Sequence, residues 1–301
     1  MKELPKIVVI IGPTATGKSD LAVALARRHN GEIISADSRQ VYRGLDLGSG
    51  KITKREMQGV RHHLIDVASP SRSFSVAQFK SHGERAIRSI LKRGKIPIIV
   101  GGTGFYVDAL VYNITFPDVK PDRALRTTLE KLDTESLVKR LNELDPERAR
   151  DIDQHNRVRI IRAIEIATVY GKVTPLTTAT TYDPIWIGLT APRDILRERI
   201  TLRLHKRIKL GMLKEFSTLH EHGLSYKRME ALGLEYRYGA RLLQGLVDRK
   251  QFVELLTNEI VKYAKRQMTW FKRNTKINWI DINSTDDITQ QADEILNQHL
   301  R

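Results

Sequence analysis

The sequence predicts an α/β fold in which a parallel sheet flanked by helices carries an all-α insertion. Three observations predict it. The β-branched run from Ile7 to Ile11 ends in a glycine-rich turn, after which a helical pattern begins. Two further apolar segments, Glu32 to Ser35 and Ile96 to Val100, flank a helical pattern over Phe79 to Arg93. From residue 117 to residue 182 only helical spacing occurs. Strands that are apolar throughout are typical of a parallel sheet covered on both faces.

Each part of this architecture is assigned to its own stretch of chain. We predict a discontinuous catalytic core formed by residues 1–116 and 183–301, which ends in basic C-terminal helices, and a helical insertion at 117–182. The chain returns to the sheet at Pro184 to Leu189. A long amphipathic helix follows, in which apolar residues recur every four positions at Leu196, Ile200, Leu204 and Ile208. A second long helix is predicted over Phe252 to Phe271, with an apolar stripe formed by Phe252, Leu255, Leu256, Ile260, Tyr263 and Ala264.

The charge of the chain predicts a polyanionic partner. Lys and Arg number 51 against 35 Asp and Glu in 301 residues, which gives a net charge of +16. A basic surface raises both the affinity and the encounter rate for phosphate backbones, so nucleic acid is favoured over a small phosphorylated ligand alone. Because the chain has no cysteine, disulfides, thiolate zinc sites and catalytic thiols are excluded.

Neither a membrane span nor a signal peptide is predicted. No stretch approaches the roughly 18 apolar residues of a membrane-spanning helix. The first apolar run, Lys6 to Ile11, is too short for a secretory signal. We therefore expect a cytoplasmic protein without a membrane partner, and we expect it to be a monomer.

A phosphate-binding motif follows the first strand. Residues 12–19 match G-x-x-x-x-G-K-[ST] in full and lie between a strand and a helix, as this P-loop requires. Its glycines let backbone N–H groups approach phosphate oxygens, its lysine neutralises charge, and its serine offers a hydroxyl to Mg²⁺. We therefore predict a P-loop NTPase-like sheet with Ser19 as metal ligand. The residues expected to bind the diphosphate or nucleotide are Gly12, Pro13, Thr14, Ala15, Thr16, Gly17, Lys18 and Ser19.

The strand that could carry a magnesium-binding carboxylate ends in glycines instead. Ile96 to Val100 is followed by Gly101-Gly102-Thr103-Gly104, whereas ATP-hydrolysing engines have an acidic residue at that place. The pattern therefore favours group transfer to or from a diphosphate or triphosphate. The glycines also permit a close approach of backbone to ligand, and Thr103 offers a hydroxyl. A plain strand-to-helix turn is the competing interpretation of this segment.

Asp37 directly follows the Glu32 to Ser35 strand and is the candidate general base. Ligands of open α/β sheets bind at the carboxyl ends of the strands, and Ser38, Gln40 and Tyr42 add polar groups there. A carboxylate at this place could take a proton from an acceptor within its reach. A structural role for Asp37, as a helix cap or a turn residue, stays open from the residues alone.

Six sequence segments, taken together, indicate one family. They are GPTATGKS at 12–19, ISADSRQVY at 34–42, HHLID at 62–66, GGTGFY at 101–106, RVRIIRAIE at 157–165 and KRQMTWF at 265–271. In this order and at these separations they resemble the tRNA dimethylallyltransferase family, over nearly the whole chain. The resemblance implies transfer of a dimethylallyl group from dimethylallyl diphosphate to the exocyclic amine of adenosine 37 in the tRNA anticodon stem-loop. It also implies that the P-loop holds the prenyl diphosphate instead of ATP, with Mg²⁺ as cofactor.

The same resemblance implies roles for individual residues. Thr14, Lys18 and Ser19 would hold the diphosphate and Mg²⁺, and Asp37 would be the base on the adenine amine. The implied catalytic residues are Asp37, Thr14, Thr103 and Arg203. The implied tRNA-binding residues are Asp37, Ser38, Arg39, Gln40, Thr103, Arg126, Val158, Arg159, Ile160, Ile161, Arg162, Lys265, Arg266, Gln267 and Trp270.

Structural interpretations compete with some of these roles. Arg199 and Arg207 share a helical face with Arg203, and a solvated face explains these two better than ligand binding does. Over residues 265–271 cations interleave with aromatic residues, which is typical of RNA recognition, although one of the two rings is expected in the core. The His62–His63 pair is expected to pack under an edge of the sheet.

Three other functions remain open from the residues. A prenyltransferase acting on free adenine nucleotides would share the P-loop and the aspartate, but it would lack a large basic helical insertion. A small-molecule kinase would bind ATP in the cradle, and the arginine-bearing helix around Arg203 partly meets its need for a phosphate-binding lid. A P-loop RNA-binding protein without turnover would have no use for Asp37 beside the cradle.

Overall fold

The computed structural model describes residues 3–284 and 287–300, so residues 1–2, 285–286 and 301 of the predicted core lie outside the described part. Among the described residues the strands are Lys6–Ile11 (β1), Gly31–Ser35 (β2), His62–His63 (β3), Ile96–Gly101 (β4), Asp183–Thr190 (β5) and Asn278–Asp281 (β6). The helices are Lys18–Arg28 (α1), Val76–Lys92 (α2), Gly104–Val111 (α3), Arg123–Leu129 (α4), Thr134–Leu144 (α5), Pro146–Asp151 (α6), Arg157–Tyr170 (α7), Arg193–Lys209 (α8), Met212–Glu221 (α9), Tyr226–Leu232 (α10), Leu234–Leu243 (α11), Arg249–Phe271 (α12) and Ile288–Leu300 (α13). None of these helices is both long and apolar enough to span a membrane.

The strands of the described residues form one parallel sheet in the order β3-β2-β4-β1-β5-β6. The predicted α/β fold with a parallel sheet is therefore confirmed. The two edge strands, β3 and β6, were not among the predicted strands. His62 and His63 form the edge strand β3 itself, so the pair is part of the sheet and is not packed under its edge as predicted.

The two faces of the sheet explain why its strands are apolar throughout. Ile7, Val9 and Ile11 of β1 pack against α2 and α3 in one core. Val8 and Ile10 point the other way and pack against α1 and α13 in another. Because successive side chains of a strand alternate between its faces, a strand covered on both sides must be apolar at every position.

Three functional segments leave the sheet at the same edge. The strands β2, β4 and β1 are neighbours, with Ser35 paired to Val100 and Ile11 paired to Gly101. Their carboxyl ends are therefore level with one another. The P-loop after β1, Asp37 after β2 and the glycine turn after β4 consequently emerge side by side, in the position where ligands of open α/β sheets bind.

Helix α12 joins two cores of the larger unit. Its first half contributes Phe252, Leu256 and Ile260 to a core formed by α8 to α12. Its last residue, Phe271, lies in the core between the sheet and the helices α2 and α3. Both ends of the helix are anchored, so the side chains between them are carried past the carboxyl edge of the sheet in a fixed orientation.

The helical insertion forms a compact unit of its own at Ile114–Ala179, whereas the sequence places it at 117–182. Its helices α4 to α7 surround a separate apolar core. Glu165 lies in this unit with a side chain only 1% exposed. It accepts hydrogen bonds from Arg126 at 2.7 and 2.8 Å and from Arg162 at 3.1 Å. Two arginines implied in tRNA binding are thus also structural partners of a buried carboxylate.

The structure corrects the role of two residues implied in tRNA binding. Ile160 and Ile161 are 0% and 7% exposed and belong to the core of the insertion. They lie on the inner face of α7, because the helical period carries every third or fourth residue to the same side. Val158, 77% exposed, and Arg159 lie on the outer face of the same helix. Their side chains, unlike those of the two isoleucines, are available for an external partner.

A buried carboxylate of β2 makes the stability of the protein depend on pH in the acid range. Glu32, with a side chain 4% exposed, pairs with Arg93 at 2.6 Å, His63 at 2.8 Å and Lys95 at 3.3 Å. Burial alone would raise the pKa of Glu32, but hydrogen bonds from Arg93, His63 and Lys95 outweigh it and lower the pKa to about 2.

We expect the free energy of unfolding to fall as the pH drops from about 4.5 to about 2. The carboxylate is favoured in the folded state, so its contribution is complete above the ordinary pKa of 4.5 and is lost as the pH falls through the folded value. The variant Glu32→Gln is expected to lose about 1 to 3 kcal/mol at pH 7, because it removes the charge-assisted hydrogen bonds to Arg93 and Lys95, whose side chains are about one third exposed. Urea unfolding at several pH values measures both effects. An equal acid slope in the variant and the wild type would contradict the assignment to Glu32.

Candidate active site

The phosphate cradle is the turn between β1 and α1. Gly12 has a φ of +141°, and a Cβ there would collide with the carbonyl oxygen of Leu189. Gly17 has a φ of +89° and precedes the first turn of α1. The hydroxyl of Thr16 donates to the carbonyl oxygen of Pro13 at 2.9 Å, which closes the turn. The N-terminus of α1 thus opens into a turn that favours glycine at positions 12 and 17, an arrangement suited to binding phosphate.

Lys18 turns its ammonium group back into this cradle. Its Nζ donates to the carbonyl oxygen of Pro13 at 2.5 Å. Although the residue as a whole is partly exposed, the ammonium group itself is desolvated. This burial, together with the positive charge of Arg203, lowers the pKa of Lys18 to about 7, against the opposing effect of Asp37. A diphosphate entering the cradle would supply the negative charge that favours the protonated lysine.

Ser19, the predicted metal ligand, is exposed in the first turn of α1. In the part of the chain that the structure describes, no group of three or more His, Cys, Asp or Glu side chains could hold a metal ion by itself. Mg²⁺ usually keeps several waters and completes its shell with a few side-chain oxygens and substrate phosphates. A serine hydroxyl beside a phosphate cradle fits this coordination chemistry.

Asp37 shapes the turn that follows β2. Its Oδ1 accepts hydrogen bonds from the backbone N–H groups of Arg39 at 2.7 Å and Gln40 at 3.2 Å. Asp37 therefore does have the structural role in a turn that the sequence left open. This role does not replace the proposed chemical role, because both bonds use one carboxylate oxygen. The charge of Asp37 also acts on Lys18, which places the aspartate within electrostatic range of the cradle.

Thr103 ties the turn after β4 to the turn after β2. Its Oγ1 accepts a hydrogen bond from the backbone N–H of Ser38 at 3.1 Å, and its own N–H donates to the carbonyl oxygen of Ala36 at 3.2 Å. Gly101 is needed here, since a Cβ would collide with that same carbonyl. The resemblance implies that Thr103 and Asp37 act in one site. The structure connects them through Ser38, which follows Asp37 and donates its backbone N–H to Thr103.

The side chains after Asp37 make contacts within the protein. Gln40 accepts a hydrogen bond from the hydroxyl of Ser35 at 3.2 Å and donates to the carbonyl oxygen of Gly50 at 3.5 Å. Arg39 donates from Nη1 to the carbonyl oxygen of Ser38 at 3.2 Å. Its Nε is buried and has no hydrogen-bond partner among the described residues. Of this group, Arg39 is the residue with unused donor capacity.

Two arginines of α8 meet a glycine-containing loop beside the cradle. Arg203 donates to the carbonyl oxygen of Gly50 at 3.3 Å. Arg207 donates to the carbonyl oxygens of Leu47 at 3.3 Å and Gly48 at 3.0 Å. The solvated face predicted for Arg207 is therefore wrong, because its side chain is only 11% exposed and also pairs with a buried glutamate.

The loop that receives these arginines is fixed by a carboxylate. Glu215 accepts hydrogen bonds from the backbone N–H groups of residues 46, 47 and 48 at 3.1, 2.6 and 2.9 Å. Its Oε1 also accepts one from the hydroxyl of Tyr236 at 2.9 Å. Glu235, at the start of α11, pairs with Arg207 at 3.3 Å. Neither glutamate has a motif signal in the sequence.

Helix α12 places its predicted RNA-binding residues in different environments. Lys265 and Arg266 are exposed. Trp270 is half-buried, donates from Nε1 to Asp108 at 2.9 Å and carries the guanidinium of Arg273 3.8 Å above its ring. Gln267 is only 5% exposed, so the tRNA contact implied for it is corrected: its carboxamide points inward.

Tyr263 is a site residue that the sequence assigned to the apolar stripe of α12. Its hydroxyl lies beside the side chain of Thr103, which acts to lower its pKa. Burial and the charge of Asp37 raise the pKa of Tyr263 to about 12, so the hydroxyl stays protonated near neutral pH. The signal that could have found it is its spacing of four residues from Gln267, which puts both on one side of the helix.

A phosphate cradle beside an aspartate and a threonine, all at the carboxyl ends of adjacent parallel strands, defines a P-loop group-transfer enzyme. The family model described as IPP transferase matches residues 40–274. The tRNA dimethylallyltransferase 2 of Treponema denticola is 45% identical over 284 residues, covering 91% of this chain and 95% of the relative. The tRNA dimethylallyltransferase of Anoxybacillus flavithermus is 39% identical over 297 residues, covering 97% and 95%. The chain belongs to the IPP transferase family.

Solved structures agree with this assignment. The full-length tRNA isopentenylpyrophosphate transferase of Bacillus halodurans superposes with a TM-score of 0.74 at 38% identity, covering 97% of this chain and 95% of that chain. A eukaryotic dimethylallyltransferase acting on tRNA superposes with a TM-score of 0.82 at 26% identity, covering 98% of this chain and 79% of the other. The fold is therefore shared over nearly the whole chain.

Proposed function

We propose that this chain transfers a dimethylallyl group from dimethylallyl diphosphate to the exocyclic amine of adenosine 37 in tRNA, as the names of its relatives suggest. The observation that carries the proposal is the juxtaposition of the cradle, Asp37 and Thr103 at one edge of the sheet. Such a transfer needs two sites. One binds the phosphate of the donor, and the other binds a nucleophile that carries a proton. We expect the reaction to take place in the cytoplasm, with a monomeric enzyme.

The donor half of the site neutralises the leaving group. The carbon–oxygen bond between the allyl group and its diphosphate breaks, and the negative charge on the diphosphate grows as it does so. Lys18 and Arg203 are positioned to stabilise that charge, as is the N-terminus of α1. Thr14 would hold the diphosphate from the middle of the cradle. Mg²⁺ held by Ser19 and phosphate oxygens would add Lewis-acid stabilisation.

The acceptor half of the site removes a proton. An aromatic amine is a poor nucleophile, so the new carbon–nitrogen bond forms more readily when a base takes the amine proton. Asp37 supplies the carboxylate, and Thr103, in the turn after β4, is a further polar group at the same edge of the sheet. A stacked adenine cannot reach these groups, so the base must be turned out of the anticodon loop into the pocket. Ser38 and Gln40 would help to hold it there.

The outer face of α7 supplies an exposed cation for the RNA. Arg159 is the residue to substitute, because Arg126 and Arg162 also stabilise the buried Glu165 and their loss would disturb the fold. We expect Arg159→Ala to weaken tRNA binding and to reduce the slope of log affinity against log salt by about 1, because one phosphate contact releases its counterion. Fluorescence anisotropy at several salt concentrations measures this slope.

The matched control removes an exposed cation from another surface. Arg85 on α2 is exposed and donates to the carbonyl oxygen of Ser81 in its own helix. Arg85→Ala lowers the net charge equally and is expected to keep the wild-type slope. A salt slope that stays the same in Arg159→Ala, or that falls equally in both variants, would show that α7 makes no specific phosphate contact.

Nucleoside mass spectrometry tests the proposed function directly. The purified protein and Mg²⁺ are incubated with unmodified tRNA carrying adenosine at position 37, with and without dimethylallyl diphosphate. A mass gain of one dimethylallyl group on adenosine, dependent on the donor, is expected. Labelling of free AMP or ATP instead of tRNA would move the assignment to a nucleotide prenyltransferase. Phosphoryl transfer from ATP without prenyl transfer would leave a kinase.

A further inference from the structure

The carboxamide of Gln267 lies between the two halves of the site. Its Oε1 accepts a hydrogen bond from the backbone N–H of Thr14 in the cradle, at 2.9 Å. Its Nε2 donates to the carbonyl oxygen of Gly102 in the turn after β4, also at 2.9 Å. The side chain is 5% exposed, and a Cβ on Gly102 would collide with it. Both polar ends of this glutamine are therefore satisfied inside the protein.

We propose that Gln267 is a positioning residue that holds the donor and acceptor halves of the active site at a fixed separation. The inference rests on the proposed function and adds to it a residue that acts through two others. The cradle follows β1 and the acceptor turn follows β4, so each half belongs to a different strand end. Gln267 joins the two loops beyond the point at which the sheet hydrogen bonds end.

The surroundings of Gln267 make it a stiff connection. Helix α12 is anchored by Ile260 and Ala264 in one core and by Phe271 in another. Tyr263, one turn before the glutamine, lies beside Thr103 of the same acceptor turn. One face of one helix therefore binds both loops through Gln267 and packs Tyr263 beside the acceptor turn. Any displacement of the two halves relative to each other would break a buried hydrogen bond.

The chemistry of the amide explains why a glutamine stands here. The connection needs an acceptor for one backbone N–H and a donor for one backbone carbonyl, and a carboxamide offers both on one rigid plane. A glutamate would keep the acceptor but place an oxygen against the carbonyl of Gly102 and a negative charge beside the diphosphate site. A methionine of similar length would fill the space and make neither bond.

Steady-state kinetics of Gln267→Met and Gln267→Glu test the proposal, at a temperature well below the unfolding transition of each variant. The reaction requires its atoms within a narrow range of separation, and a displacement of about 1 Å can cost about 100-fold in rate. We expect kcat to fall by about 10- to 100-fold in both variants. The KM for the donor and the dissociation constant for tRNA are expected to stay within about twofold of wild type in Gln267→Met.

The control is Gln244→Met, which removes a glutamine that donates to the carbonyl oxygen of Ala240 at the end of α11. Wild-type kcat is expected for it. A lowered unfolding temperature in Gln267→Met with unchanged kcat would overturn the proposal, since the glutamine would then be structural only. A weaker tRNA affinity with unchanged kcat would overturn it in favour of an RNA contact. Wild-type product formation in the mass-spectrometric assay shows separately whether the proposed function itself holds.

Discussion

Asp37→Asn is expected to lower kcat by about two to four orders of magnitude while leaving tRNA affinity nearly unchanged. The carboxamide can still accept the hydrogen bonds that Asp37 receives from Arg39 and Gln40, so the turn keeps its shape. What is lost is the ability to take a proton from the adenine amine. Single-turnover kinetics with saturating donor and tRNA measure the loss, and gel-shift titration measures the affinity.

The structure offers a matched control for this substitution. Asp281, at the end of β6, accepts a hydrogen bond from the backbone N–H of Asn283 at 2.9 Å, two residues later, as Asp37 does from Arg39. Asp281→Asn should therefore have wild-type kcat. Near-normal turnover in Asp37→Asn would remove Asp37 as the base and leave it only its role in the turn. A loss of tRNA binding parallel to the loss of rate would indicate an acceptor contact instead.

Lys18→Met is expected to lower kcat/KM for the donor by about 100- to 1,000-fold, because the leaving diphosphate loses a directed positive charge. In the wild type, the pKa of about 7 makes donor affinity fall as the pH rises above 7, since the free lysine is then deprotonated and must take up a proton to bind the anion. The variant has no group that titrates at that place. Donor KM measured from pH 6 to pH 9 should therefore rise in the wild type and stay flat in Lys18→Met.

Lys250→Met removes an exposed lysine from the first turn of α12 and serves as the control. It should retain the wild-type dependence of KM on pH. A donor KM that rises equally with pH in Lys18→Met would assign the titration to another group. An unchanged kcat/KM in that variant would mean that Arg203 and the N-terminus of α1 alone neutralise the diphosphate.

The core of the fold could be predicted from the sequence because its strands are buried on both faces. Ile7 to Ile11 and Ile96 to Val100 are apolar at every position, which distinguishes interior strands from helices and loops. The edge strands β3 and β6 were not predictable in this way. His62–His63 and Asn278–Asp281 are too short for a periodic pattern, and their pairing depends on a neighbour far away in the sequence.

The site was only partly predictable, for a different physical reason. A motif specifies residue types and spacing, and these sufficed to predict that Lys18, Asp37 and Thr103 lie at one edge of the sheet, because each follows the end of a strand. The direction of a helical side chain depends on which side of the helix is buried. For this reason Ile161 and Gln267, implied as RNA contacts, point inward, while Tyr263, assigned to the core, reaches the acceptor turn.

The contact between Arg203 and the carbonyl oxygen of Gly50 bears on how the reaction cycle ends. A carbonyl is a dipole without net charge, so it holds the guanidinium in place without cancelling its positive charge. Arg203 and Lys18 consequently repel each other in the free enzyme, and this repulsion adds to the effect of burial, the larger cause, in lowering the pKa of Lys18. An anion of high charge relieves the repulsion. The inorganic diphosphate expected from the transfer is more highly charged than the allylic donor, so we expect the same cations to retain the product and its departure to be a slow step of each cycle.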